Sequence, residues 1–146
     1  MVSKILVPTD GSKAALRSLR YAIGLAEQLK AEIILLSVID KSSLIPQTVP
    51  TSSNIIEPIE DFLKNAAQEY LNEGEKLCKK SGIPVKTVIR IGRPVDEIIK
   101  EAEKFSADLI VIGSRGRSAI KAVVLGSVTF GVINKETKIP VLVVRK

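Results

Sequence analysis

The chain alternates between unbroken apolar runs and segments in which apolar residues recur every third or fourth position. "KILVPTD" is a short apolar run ending in Pro8, Thr9 and Asp10, and it predicts a buried strand. After Gly11 and Ser12 the period changes. Leu16, Leu19, Ile23, Ala26 and Leu29 mark an amphipathic helix whose N-cap is Ser12 or Asp10. "EIILLSVID" is a second wholly apolar strand. Residues Lys41 to Ile55 are rich in Ser, Thr and Pro and show no period, so they predict a long loop after that strand. From Glu57 the helical period returns through Ile59, Leu63, Ala66, Tyr70 and Leu77 and stops at Ser81–Gly82. "IPVKTVIRIG" alternates only partly, as a strand near a sheet edge does. Pro94 opens a third helix through Val95, Ile98, Ile99 and Ala102. "ADLIVIG" and "IPVLVV" complete the strands, and a last short helix runs from about Ser127 to Asn134 between them.

Strands alternating with helices predict one doubly wound α/β domain over residues 1–146, Rossmann-like, around a five-stranded parallel sheet. Apolar runs without alternation suit strands covered on both faces. Right-handed crossovers cover both faces only if the winding reverses once, and the simplest order is then 3-2-1-4-5. Ligands of such sheets bind beyond the carboxyl ends of the strands at the reversal. Those ends are Pro8–Thr9–Asp10 and Ile112–Gly113. The same order leaves apolar "IPVLVV" at an edge, where an unpaired strand is a liability.

Composition narrows the chemistry. At 146 residues and 45% hydrophobic, the chain buries a core without staples. The absence of histidine excludes His-based triads, His-bearing zinc sites and the usual general base at neutral pH. The single cysteine, Cys78, rules out an intramolecular disulfide and is expected to be a half-buried bystander near a helix end. No signal-peptide pattern opens the chain, and no apolar stretch approaches the roughly 20 residues that span a bilayer, so a soluble cytoplasmic protein without a membrane partner is expected. The net charge of +6 favours anions. Its bases are scattered, though, and none of the three Phe and two Tyr interleaves with them to stack bases, so nucleic acid is not the favoured partner.

The remaining signal is "GSRGRSAIKAVVLGS", Gly113 to Ser127. It lacks the GxxxxGK[ST] of a Walker A loop and the GxGxxG of a dinucleotide fingerprint. The logic of anion binding nevertheless applies. Gly113 allows close approach of backbone to a ligand at a strand end. Gly126 precedes the last helix, so the amides of Ser127, Val128 and Thr129 would point outward at a positive helix terminus. Hydroxyls of Ser127 and Thr129 would add donors, and Arg115 and Arg117 would reach outer phosphates. The competing reading makes Gly126 a helix start with unusual dihedrals, Ser127 a cap and the arginines solvated. Position at the reversal of the sheet favours a nucleotide.

The pattern G-x2-G-x9-G-[ST] resembles the signature of the ATP-binding branch of the universal stress protein family. "ILVPTDGS", "LLSVID", "GRPVDEII" and "PVLVV" extend the resemblance along the whole chain. It implies a fold of the adenine nucleotide alpha hydrolase-like kind with an adenine nucleotide (ATP, ADP or AMP) in the cleft. Asp10 would contact ribose, and Val38 would bind adenine through its backbone. Pro8, Thr9 and Ile112 would line the base pocket. Gly113, Arg115, Gly116, Gly126, Ser127, Val128 and Thr129 would hold ribose and phosphates, with Mg²⁺ or Mn²⁺ on the phosphates and no protein side chain assigned to the metal. Asp40 is either a turn acid or an aid to that metal. The resemblance further implies a homodimer through residues 140–145 and a nucleotide-dependent stress-response module. The alternatives are a slow ATPase and a nucleic-acid-binding protein. No residue is assigned a catalytic role, since no Walker lysine, histidine or obviously placed carboxylate is present.

Overall fold

The protein is described here by a computed structural model that covers residues 1–44, 53–115 and 125–145. Strands β1 (Lys4–Pro8), β2 (Glu32–Asp40), β3 (Val85–Gly92), β4 (Leu109–Gly113) and β5 (Val141–Val144) alternate with helices α1 (Lys13–Leu29), α2 (Ser53–Lys80), α3 (Pro94–Lys104) and α4 (Ser127–Asn134). The strands form one sheet in the order β3-β2-β1-β4-β5, parallel throughout, as the alternation predicts.

Successive residues of the central strands face opposite sides of the sheet, and both sides are dry. Ile5, Val7, Ile33, Leu35 and Val111 pack with Leu19, Ala22 and Ala26 of α1 and with Leu71 and Cys78 of α2. Leu6, Ile34, Leu36, Ile110 and Ile112 pack with Ile98, Ile99 and Ala102 of α3 and Val132 of α4. Two helices on each face are therefore the reason that the strands are apolar in unbroken runs.

Three helices end alike. Beyond each end, an amide bonds back to a carbonyl five residues earlier: Ala31 to Ala26 at 3.0 Å, Ile83 to Cys78 at 2.9 Å, Ala107 to Ala102 at 2.8 Å. The residue just before that amide is left-handed in every case, namely Lys30, Gly82 and Ser106. This closure satisfies end carbonyls and feeds the next strand directly into the sheet.

The described residues differ from the periodicity at three points. A single 3₁₀ turn, Lys41–Leu44, follows β2 where loop was expected, and α2 begins at Ser53, ahead of Glu57. Pro58 lies inside that helix. Proline this close to a helix start removes only one early intrahelical bond, so the helix continues through it. Residues 45–52, the rest of the expected loop, lie outside the described set. The third difference is Cys78, which is fully buried in the α1–α2 core and not half-buried. Between Ser12 and Asp10, the structure selects Ser12 as the cap of α1. Its Oγ accepts the Ala15 amide at 3.1 Å, while Asp10 Oδ1 accepts the Ser12 amide at 2.9 Å.

One polar pair enters the packing between α3 and β3. Arg90 Nε donates to Glu101 Oε1 at 2.5 Å, with the Glu101 side chain 1% exposed. Its Oε2 has no hydrogen-bond partner. The two hydrogen bonds that Asp108 Oδ2 accepts from the Ser3 and Lys4 amides, with a third from Ser3 Oγ, tie the N-terminus to the start of β4 and hold that carboxyl below its ordinary range.

Burial, and secondarily the Glu75 carboxylate, push the Cys78 thiol up from 9.0 to about 11. The folded protein thus holds this proton more tightly than the unfolded chain. The resulting stability is fully present below pH 9 and is lost as pH rises through about 11. Native protein at pH 8 should resist alkylation by iodoacetamide and react fast once urea unfolds it. Rapid native alkylation of Cys78 would show that the α1–α2 core opens.

Candidate functional site

The reversal between β1 and β4 opens a cleft at the carboxyl edge of the sheet. Its volume is about 360 Å³. Pro8, Thr9, Asp10, Val38, Ile112, Gly113, Arg115, Gly126, Ser127, Val128 and Thr129 all line it. Gly116, the remaining residue singled out in the sequence, lies outside the described residues. So do Arg117, Ser118 and Lys121 of the glycine stretch.

One end of the cleft is apolar and bounded by Leu36, Val38, Pro94, Ile98 and Ile112. Here β2 outruns its neighbour. β1 ends at Pro8, opposite Leu36, and the Thr9 amide makes the last bond across, to the Leu36 carbonyl at 2.8 Å. Amide and carbonyl of one strand residue point to the same side, and the side alternates along the strand. Val38 therefore directs its amide and carbonyl towards the β1 side, where β1 has ended. A planar, hydrogen-bonding group slotted between Val38 and Ile98 would complete that edge.

The opposite end is the N-terminus of α4, and two bonds staple it to the last residue of β4 and the residue after it. The Thr129 hydroxyl donates to the Gly113 carbonyl at 2.7 Å, and the Gly126 amide donates to the Ser114 carbonyl at 2.7 Å. The Thr129 hydroxyl is thus committed inside the fold, which corrects the expectation that it would serve as a free donor. The first intrahelical bond runs from the Phe130 amide to the Gly126 carbonyl at 2.9 Å. Amides of Ser127, Val128 and Thr129 precede that rung and have no intrahelical acceptor. The N-cap residue, Gly126, supplies no side-chain cap. The three amides form a positive terminus on the cleft wall, suited to an anion.

The glycines of the signature differ in kind. Gly126 sits at φ −67°, ψ 160°, extended backbone open to any residue, so unusual dihedrals do not explain it. A Cβ on Gly113 would lie 3.1 Å from the Ala14 carbonyl oxygen. Its bare backbone therefore serves the seating of β4 against α1, in addition to bordering the cleft.

Asp10 and Thr9 belong to the turn between β1 and α1. Thr9 Oγ1 accepts the Gly11 amide at 3.3 Å, beside the Asp10–Ser12 bond already described. Asp40 lines the cleft and is exposed, and its Oδ1 accepts from the Ser42 amide at 3.0 Å and the Ser42 hydroxyl at 2.8 Å. It is a turn acid in this structure. Among the described residues no cluster of three or more His, Cys, Asp or Glu could hold a metal ion. Also among the described residues, no helix is long and apolar enough to cross a membrane.

Sequence reasoning passed over Ala15, Leu36, Pro94 and Ile98 as cleft residues. Pro94 and Ile98 are one helical turn apart on the inner stripe of α3, a spacing that reads simply as core.

The universal stress protein family matches residues 1–145. The universal stress protein MJ0531 of Methanocaldococcus jannaschii is 36% identical over 146 residues, covering 100% of this chain and 84% of that protein. MJ0577 of the same organism is 37% identical over 157 residues, covering 100% and 96%. Its solved structure superposes with a TM-score of 0.88, over 100% of this chain and 97% of that one. A universal stress protein crystallised in complex with cAMP is 27% identical, with a TM-score of 0.69, and covers 99% and 97%. On this match in sequence and fold, the chain belongs to the universal stress protein family.

Proposed function

We propose that the cleft binds an adenine nucleotide, ATP foremost, and that the protein acts as a nucleotide-dependent stress-response module over residues 1–146. The observation that carries this reading is the placement of two complementary backbone edges on one cleft. Val38 offers an unpaired strand edge beside apolar walls, which suits a purine. Amides 127–129 offer a helix terminus, which suits phosphates. Asp10 lines the same cleft and would meet the ribose that joins base to phosphates. The cAMP complex of a relative supports the class of ligand.

Binding divides into three parts. The base inserts against Ile98 and Ile112, losing water. Asp10 accepts hydrogen bonds from sugar hydroxyls, and Arg115 with the α4 amides neutralises phosphate charge. Mg²⁺ or Mn²⁺ would be held by phosphate oxygens and water, the usual manner for a cation that keeps part of its hydration shell. The charged side chains lining the cleft among the described residues are Asp10, Asp40 and Arg115. That set suits retention of a nucleotide better than its hydrolysis.

The protein is further proposed to act as a homodimer through residues 140–145, in the cytoplasm. β5 pairs with β4 on one side only. Its four residues are half-buried, and Phe130 and Ile133 on neighbouring α4 are 61% and 45% exposed. An apolar edge of this kind is stable when a second copy covers it.

Two measurements test these readings. Wild type should melt about 5–10 °C higher with saturating Mg·ATP, because ligand at a hundred times its dissociation constant adds about 2.7 kcal/mol and each kcal/mol is worth about 2–4 °C. Gly126→Val should abolish the shift, since its methyls occupy the space before the α4 amides. Its extended dihedrals accommodate valine, so the ligand-free melt should stay near that of wild type. A variant that keeps the full ATP shift would refute the phosphate assignment.

The dimer is tested by light scattering at micromolar concentration. Carbonyls of Pro140 and Val144 bond to β4, so the intervening Val143 directs its amide outward. Val143→Pro removes that outward donor and leaves the β4 ladder intact. Wild type should show a dimer mass and the variant a monomer mass, with far-UV circular dichroism showing that the variant remains folded. A monomeric wild type would end the proposal.

A further inference from the structure

Two helices that border the cleft meet at a glycine outside the signature. Gly131 lies within α4, Ser127–Asn134. Its φ is outside the left-handed region, unlike those of Gly11 and Gly82, so backbone angle does not require glycine here. Helix propensity disfavours it. The reason for it is a neighbour on α3. A Cβ on Gly131 would lie 2.6 Å from Val95 Cγ2, 3.3 Å from Cγ1 and 3.5 Å from Cβ. Val95 is β-branched and strongly prefers one rotamer in a helix, so swinging clear is unfavourable. With a side chain at position 131, the helices would have to part by about 1 Å to restore ordinary carbon contacts.

The contact sits between the two ends of the cleft. Pro94 and Ile98 of α3 line the apolar end, and Val95 shares a helix face with Ile98, three residues on. Ser127, Val128 and Thr129 of α4 line the other end, and Gly131 shares a face with Val128 in the same way. Each helix has its own hold on the sheet. Thr129 and Gly126 bond to Gly113 and Ser114, and Ile98 and Ile99 are buried in one cluster with Leu6, Ile34 and Leu36. Val132 of α4 joins that cluster, and Lys135 pairs with Asp96 at 2.9 Å. The ion pair is half-exposed and constrains the helices weakly. Val95 against Gly131 is where one added carbon has no room. Whichever helix gave way, the span from Ile98 to the α4 amides would change.

We infer that Gly131 is a positioning residue for the nucleotide site, its bare Cα seating α4 on Val95 so that base wall and phosphate terminus stand one nucleotide apart. The consequence for a ligand rests on the nucleotide reading above, and the contact itself does not. Gly131 and Val95 line no part of the cleft, so they act through Ile98, Val128 and their neighbours.

Two measurements separate the contact from its consequence. In ligand-free protein, Gly131→Ala should lower the melt of wild type and raise that of Val95→Ala. Without the valine methyls the new Cβ meets Cβ of residue 95 at 3.5 Å, and alanine is the better helix former. By calorimetry, Gly131→Ala should weaken Mg·ATP about 10-fold, and adenosine, which reaches only the α3 end, less than about 3-fold. Adding Val95→Ala should return ATP affinity to within about 3-fold of wild type, a rescue that two independent defects would not give. A change of melt of the same sign in both backgrounds would overturn the contact. ATP affinity that is unchanged in Gly131→Ala, falls in step with adenosine, or is not restored by Val95→Ala would overturn the positioning role. A wild type that binds no ATP would instead refute the nucleotide reading, while the melts would still decide the contact.

Discussion

Both faces of this sheet must be buried, and that requirement makes the winding reverse between β1 and β4. A parallel strand returns to the sheet only through a right-handed crossover, so helices reach the second face only after the direction of travel changes. The chain steps from β1 to β2 to β3 beneath α1 and α2, then crosses to β4 and β5 beneath α3 and α4. Where the directions part, the chain leaves neighbouring strands towards opposite faces, and a cleft opens at the carboxyl edge. The cleft is the geometric remainder of a packing rule, and chemistry has only to decorate it. β1 stops at Pro8 while β2 continues to Asp40, so the decoration begins with bare backbone.

Several glycines along this edge look interchangeable in the sequence and are not. Gly11 makes room for an aromatic ring, and Gly74 for two leucines of the core. Gly113 makes room for the backbone of α1. Each of these has a neighbour in the fold that accounts for it. Gly126 has ordinary dihedrals and stands before three amides without intrahelical acceptors, so backbone conformation is not the reason for its bare Cα. The two described glycines of the signature thus do different work.

The sheet order and the two-faced core could be read directly from the chain, because unbroken apolar strands and 3.6-residue periods admit few arrangements. The end of the sheet that carries the cleft followed from the same rule. What escaped the sequence depended on distances. Thr129 reads as one more hydroxyl on a phosphate turn, and only the 2.7 Å bond to the Gly113 carbonyl shows it clamping α4 to β4. Cys78 falls on a helix stripe that sequence places near a helix end, whereas α2 is seated so closely at Gly74 that its inner face is sealed. Pro58 marks a break by propensity, yet α2 starts early enough that one missing bond does not stop it.

The staple at α4 also bears on what kind of protein this is. A helix terminus fixed by two hydrogen bonds is preorganised, and its first amides need no rearrangement to meet an anion. Such a terminus supplies donors, and neither a nucleophile nor a general base. Acceleration of phosphoryl transfer needs charge that meets the reacting oxygens and a group that orients water. Among the described cleft residues, Arg115 is the one cation, and Asp40 is engaged with Ser42. Asp10 Oδ1 accepts the Ser12 amide at the start of α1, and the Tyr70 ring of α2 lies against Gly11 between them. Occupancy of the cleft would therefore be felt by the helices that frame it, and a signal carried in that way requires no turnover.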